Sequence, residues 1–91
     1  MATNARFVKV DAEHVVQACE EAQAKLDGAP AEVELDFSSV PRIDPKALRA
    51  MEHLADTVDG QGTRVVLRGV SVDIYKVLKL VKLAPRFLFR P

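Results

Sequence analysis

The sequence is poor in the residues that would declare a chemistry at once. Its 91 residues hold one cysteine, Cys19, no tryptophan, and two histidines, His14 and His53. A lone thiol excludes an internal disulfide and a cysteine metal cluster, and the histidines stand at no ligand spacing. No apolar run approaches the ~20 residues of a membrane span, and "MATNARFVKV" lacks the charged-then-apolar order of a secretory leader. A cytoplasmic protein without membrane insertion is expected. Gly60 and Gly62 follow a helix pattern, not a strand, so no phosphate-binding loop is present, and no nucleophile elbow occurs. Asp36 and Asp44 are the nearest thing to an acid–base pair, but Asp44 is better explained as a helix cap. The expectation is no enzyme, no catalytic residue, no metal and no cofactor.

What is present suits one small folded domain over residues 1–91. Hydrophobic residues make up 48% and charged residues 29%, which separates the chain from disordered sequences. Thirteen acids balance thirteen bases, but unevenly. Residues 1–45 carry nine acids and four bases, and residues 46–91 carry four acids and nine bases. Opposite halves can attract each other within one fold, so no nucleic-acid partner is expected.

The pattern alternates strands and helices. "RFVKV" is a short alternating strand ending at Asp11, read as the N-cap of a helix with Ala12, Val15, Val16, Cys19, Ala22 and Leu26 on its apolar stripe, stopped by Gly28. Cys19 within that stripe is a structural thiol, and His14 a surface residue. "AEVELDF" sets Val33, Leu35 and Phe37 against an acidic face of Glu32, Glu34 and Asp36. Asp44 and Pro45 then start a helix, because the carboxylate caps free N–H groups and proline at the first position gives up no hydrogen bond. That helix buries Ala47, Leu48, Ala50, Met51, Leu54, Ala55 and Val58, and shows Lys46, Arg49 and His53 together on its outer face.

"TRVVLRGV" reads as a buried strand, and Ser71 caps a last helix whose inward residues are Ile74, Val77, Leu78 and Val81. Tyr75, Lys76, Lys79, Leu80, Lys82 and Leu83 make its outer face, where cations and apolar bulk suit a partner or an anionic surface. Pro85 ends the helix and "RFLFR" forms a final strand. The order β-α-β-α-β-α-β predicts an α/β domain with a mixed, mainly parallel four-stranded sheet and three helical crossovers.

At this point "VELDFSSVPRIDPKALRAMEHLADTVDGQGTRVVLRGVSVDIYKVLKLVKLAPRFLF" resembles the STAS domain, the fold of anti-sigma factor antagonists and of regulatory domains on anion transporters. In that family a strand ending Asp-x-Ser leads through a bend to an Asp-Ser-Ser-Gly helix start. A Gly-containing turn, a Val/Leu strand with a Gly-Val-Ser exit and a short helix with a Val-Leu pair follow. Asp36, Ser38, Asp44, Leu48, Gly62, Gly69, Val70, Ser71, Val77 and Leu78 match that pattern. The family usually has one more strand at the start, so a less covered sheet edge and at least a weak homodimer are expected.

The resemblance implies a non-catalytic protein–protein interaction module of signal transduction, binding through Asp36, Ser38, Asp44, Lys46, Arg49, His53, Tyr75 and Lys79. This chain departs from the family at one point. Asp44-Pro45-Lys46-Ala47 stands where Asp-Ser-Ser-Gly is usual, and the serine that a partner kinase phosphorylates aligns with Lys46, which accepts no phosphate. Two bacterial partner classes follow from the resemblance. One is a kinase-like anti-sigma factor. The other is the ATPase of the lipid-asymmetry (phospholipid) ABC transporter, whose small STAS subunit "DFSSVPRID" and "LRGVSVDIYKVLKL" are similar to, although its usual threonine after the aspartate is Pro45 here.

Overall fold

Valine and leucine at every second position of three short runs build the sheet, because alternate side chains of a strand leave by opposite faces. In the computed structural model, which describes residues 5–28 and 30–91, the strands are β1 (Ala5–Lys9), β2 (Glu32–Asp36), β3 (Arg64–Arg68) and β4 (Leu88–Arg90). They lie side by side in chain order, and every pairing is parallel. The expected mixed character is therefore absent among the described strands.

Chain order fixes where the helices go. Each connection moves one strand in the same direction, and right-handed crossovers then stack α1 (Val15–Ala24), α2 (Pro45–Val58) and α3 (Val72–Leu80) on one face. Val8, Leu35, Leu67 and Phe89 form one row across that front face. Around it a single cluster joins Val10, Val33, Phe37 and Val65 to Cys19, Met51, Leu54, Ile74 and Leu78. Each large side chain buried there contributes about 1.5–3 kcal/mol of transfer free energy.

The first helix departs from its expected start. It begins at Val15 with His14 as a cap that makes no side-chain bond, and Ala12 lies exposed. The Asp11 carbonyl instead accepts the His14 N–H at 3.0 Å, closing a turn before the helix. Asp11 is thus a turn residue, and Ala18 joins the buried stripe while Val16 is half-buried. The second helix starts where expected: Asp44 Oδ1 accepts the Ala47 N–H at 2.8 Å, with Pro45 at the first position. Its Leu48 and Ala50 are half-buried rather than buried.

The end of α3 also differs from expectation. Leu83 N–H bonds to the Leu78 carbonyl at 2.8 Å and Lys82 N–H to the Lys79 carbonyl at 3.2 Å, which is the Schellman closure of a helix. Lys82 takes the left-handed position, φ 63°, that glycine usually fills. The reversal swings Leu83 into the core and leaves Val81 outside, so the inward and outward assignments of these two leave-taking residues are exchanged. A short 3₁₀ turn, Ala84–Arg86, then carries the chain to β4, which is shorter than the five residues expected.

Among the described residues, no helix lies on the back face of the sheet. Its central row is Phe7, Glu34, Val66 and Leu88, with Glu32 and Arg64 in register on one side and Lys9, Asp36, Arg68 and Arg90 on the other. Arg90 reaches from β4 across β3 to β2. Its guanidinium donates to both oxygens of Glu32, at 2.8 and 3.0 Å, and to Glu34 Oε1 at 2.8 Å. Arg68 Nη1 lies 3.6 Å from the other Glu34 oxygen. In the same central row Val66 is wholly buried and Glu34 is 6% exposed. At the outer edge of β1, Lys25 Nζ donates to the Phe7 carbonyl at 2.9 Å, so that edge is already partly covered.

Candidate functional site

The C-terminal ends of the parallel strands gather most of the residues singled out in the sequence, as open parallel sheets generally do with their binding groups. Asp36 ends β2 and folds back on its own loop, its Oδ1 accepting the Ser38 N–H at 2.9 Å. The Ser38 hydrogen bonds hold the Asp36 carboxyl below the ordinary aspartate value, with Arg68 and Lys9 adding smaller favourable charge. Ser38 is exposed and packs against Gly69 of the next strand exit. A Cβ on Gly69 would come within 2.9 Å of Ser38 Cβ, and its φ of +68° disfavours any side chain, so only glycine serves there.

The bend 37–44 is tied down at both ends. Val40 N–H bonds to the Phe37 carbonyl at 2.9 Å, and Ser71 Oγ donates to the Pro41 carbonyl at 3.1 Å while accepting the Ile74 N–H. One serine thus caps α3 and fixes the loop that delivers Asp44. Its capping role is legible in the sequence, whereas its link to Pro41 needs the fold, because 30 residues separate the two.

From Asp44 onward α2 presents Lys46, Arg49 and His53, all exposed, along its outer face. They form one polar strip along the helix, with Lys46 and Arg49 as its two fixed cations. Tyr75 and Lys79 lie elsewhere, on α3, where the Tyr75 ring meets Phe89 edge-on with centroids 5.1 Å apart. The structure therefore divides the expected binding residues into two patches. Asp36, Ser38, Asp44, Lys46, Arg49 and His53 cluster at the β2 exit and along α2. Tyr75 and Lys79 edge a notch of about 450 Å³ with Lys82, Pro85 and Phe89. Arg42, not picked out in the sequence, lines with Glu13, Gln17 and Asp44 a groove of about 420 Å³ between the starts of α1 and α2.

Among the described residues no group of three or more histidine, cysteine or acidic side chains is placed to hold a metal ion. Cys19 is buried, and burial pushes its thiol up to about 12, which leaves it protonated and unreactive at neutral pH. No helix among the described residues is long and apolar enough to cross a membrane. The arrangement offers surfaces: an ordered loop, a capped helix start and the exposed side chains of Lys46, Arg49 and His53.

Comparison with known proteins bears on both fold and family. Residues 9–88 match the family profile described as "Mlab, STAS domain". Over 49 residues the chain is 39% identical to the intermembrane phospholipid transport system binding protein MlaB of Escherichia coli (strain K12), and equally to that of Shigella flexneri. The match takes in 54% of this chain and half the length of each relative. Among solved structures, a sulfate transporter family protein from Wolinella succinogenes superposes with a TM-score of 0.78 at 19% identity, covering 98% of this chain and 79% of that one. A Thermotoga maritima protein described as a "putative anti-sigma factor antagonist" gives 0.71 at 17% identity, covering 97% and 74%. At such identities these structures speak for the fold alone. The family match spans most of the chain and includes the Asp36 loop, the Asp44 helix start and the Gly69–Ser71 exit: the chain belongs to the STAS domain family.

Proposed function

We propose that this protein is a non-catalytic docking subunit of a phospholipid-transport ABC system, binding the system's ATPase through the β2 exit and the outer face of α2. The observation that carries this reading over an anti-sigma partner is the 39% identity to two intermembrane phospholipid transport system binding proteins. The likeness to an anti-sigma factor antagonist rests on fold at 17% identity. The chemistry of the surface suits docking. The Ser71–Pro41 and Asp44–Ala47 hydrogen bonds hold the loop and helix start in place before any partner arrives, which lowers the ordering cost of binding. Lys46 puts a fixed positive charge where the family's regulatory serine stands, so binding here is constitutive or controlled from the partner's side. In this reading the protein works on the cytoplasmic side of the membrane, where the ATPase would be.

The double variant Lys46→Glu with Arg49→Glu tests the surface. Both side chains are exposed, so the melting temperature should stay within about 2 °C of wild type. Reversing two charges at an interface should weaken binding to the purified ATPase subunit at least ~10-fold, read by biolayer interferometry at physiological salt. Unchanged affinity would move the contact to Tyr75 and Lys79 on α3. Binding to a kinase-like anti-sigma factor, with none to the ATPase, would reverse the choice of partner.

A further inference from the structure

We propose that the back face of the sheet pairs with the back face of a second copy of this chain, about a two-fold axis parallel to the strands and lying between β2 and β3. All-parallel sheets are normally covered on both faces, and here the three helices occupy only one. The charges on the back face are sorted by strand, and the Arg90 guanidinium from β4 already lies against Glu32 and Glu34. On this face β2 presents Glu32, Glu34 and Asp36, and β3 presents Arg64 and Arg68 about Val66. Two neighbouring columns of opposite sign are what a two-fold axis between them makes self-complementary.

The in-register pairing settles which residues would meet. Glu32 and Arg64 share one level, Phe7, Glu34, Val66 and Leu88 the next, and Asp36 and Arg68 the third. A rotation about an axis along the strands keeps every level and exchanges β1 with β4 and β2 with β3. Glu32 then faces the second copy's Arg64, Asp36 faces its Arg68, and Phe7 faces its Leu88. An axis across the strands would instead set Glu32 over Asp36 and Arg64 over Arg68, like charge on like charge. The charge pattern thus selects one of the two face-to-face arrangements.

Exposure suits a face-to-face pair of either kind, so the choice of axis rests on the charges. Phe7 is 62% exposed and Leu88 46%, and they flank the face at opposite edges, so each copy offers its partner one apolar contact on each side. Lys9 falls opposite Arg90 at the corners, but the Arg90 guanidinium is drawn inward to Glu32 and Glu34. At the ~10 Å spacing of packed sheets, glutamate and arginine side chains reach across. Four strands ~4.8 Å apart and about five residues long give a footprint of roughly 300 Å², well under the ~800 Å² per partner of a standard interface, so the pair is weak and salt-sensitive. The Lys25 cover on the β1 edge makes the face the better surface for self-association than that edge. This inference does not depend on the transporter reading.

Sedimentation equilibrium from about 10 µM to 1 mM at low salt tests it, with Glu32→Lys and Arg64→Glu made separately. Among the described residues Arg64 has no acidic partner within 4 Å, and losing Glu32 leaves Arg90 bonded to Glu34, so both variants should fold; their circular dichroism melts check this. Wild type should show a dimer that dissociates in 0.5 M salt. Each variant alone should dimerise at least ~10-fold more weakly, because each homodimer sets two pairs of like charges together. An equimolar mixture should recover the dimer, since the introduced lysine then meets the introduced glutamate while the native Arg64 and Glu32 still meet. Phe7→Glu should weaken the wild-type dimer without changing its melt. A wild type that stays monomeric at 1 mM overturns the proposal, as does a mixture no more associated than its components.

Discussion

The two faces of one sheet are built from alternate residues of the same four strands by opposite means. On the front, Val33, Leu35, Val65 and Leu67 are sealed under three helices, and the stabilising term is apolar burial. On the back, Glu34 and Val66 are just as hidden, but in a row beside an ion cluster in which Arg90 reaches to β2 and Arg68 stands next to Glu34. The front is a core in which any well-packed apolar set of the right volume would serve. The back is an ion cluster, where the attraction must offset the cost of removing carboxylates from water, and where removal of one member leaves another stranded. A buried residue therefore means different things on the two sides.

The largest effect expected from a single change lies on the front. Leu35→Ala removes most of a side chain that is 1% exposed and sits in the middle of the row Val8–Leu35–Leu67–Phe89. It should cost about 2–5 kcal/mol by urea denaturation, enough to leave a domain of this size partly unfolded at 25 °C. Phe7→Ala, one strand away on the opposite face, should change stability by no more than about 0.5 kcal/mol in dilute monomer. Equal losses from the two would mean that the back face is a core too.

A middle-sized effect belongs to the clasp. Arg90→Ala strips Glu34 of its 2.8 Å partner and leaves it only Arg68 at 3.6 Å among the described residues. A nearly buried carboxylate that loses its hydrogen-bonded cation should cost about 1–3 kcal/mol, and the Gly69 N–H to Arg90 carbonyl bond, a backbone contact, should keep β4 in place. Arg90→Lys should recover only part of this, because an ammonium cannot span Glu32 and Glu34 with a planar fork. A loss under about 0.5 kcal/mol for Arg90→Ala would reduce the clasp to an ordinary surface ion pair.

These two faces were also unequally legible in the sequence. Period-two alternation announces the front face, because the core needs only local pattern, and the acidic side of "AEVELDF" is visible for the same reason. The Asp44–Pro45 start and the Ser71 cap are equally local, and both stand in the structure. Arg90 is different. Its partners lie 58 and 56 residues earlier, and only the strand order brings them together, so its sequence neighbourhood "RFLFR" gives no sign of a clasp. The exchange of Val81 and Leu83 has a local cause that the sequence concealed: lysine, not glycine, holds the left-handed position that turns the chain. The site divides along the same line. Lys46, Arg49 and His53 share a helix face by spacing alone, while the distance between that face and Tyr75–Lys79 on α3 follows from packing.

The smallest effect tests the rim where the two faces meet, at Asp36. Its carboxyl accepts the Ser38 N–H and is held below the ordinary value of 3.8 mainly by its hydrogen bonds to Ser38. A group whose folded value is depressed stabilises the folded state above its unfolded value, and that stabilisation disappears as the pH falls through the lower, folded value. Asp36→Asn keeps an oxygen that can accept from Ser38 but has no charge to titrate. The stability difference between wild type and variant should therefore be constant from pH 7 down to about 4 and close progressively below that. Because Asp36 stands close to solvent, the gap should be smaller than the loss at either Leu35 or Arg90. Urea midpoints at pH 7, 4 and 2.5 measure it, and subtracting the variant from wild type removes the carboxylates that titrate in both. A gap that stays constant to pH 2.5 would show that the Ser38 bond works as well without the charge, making the Asp36 turn a matter of shape alone.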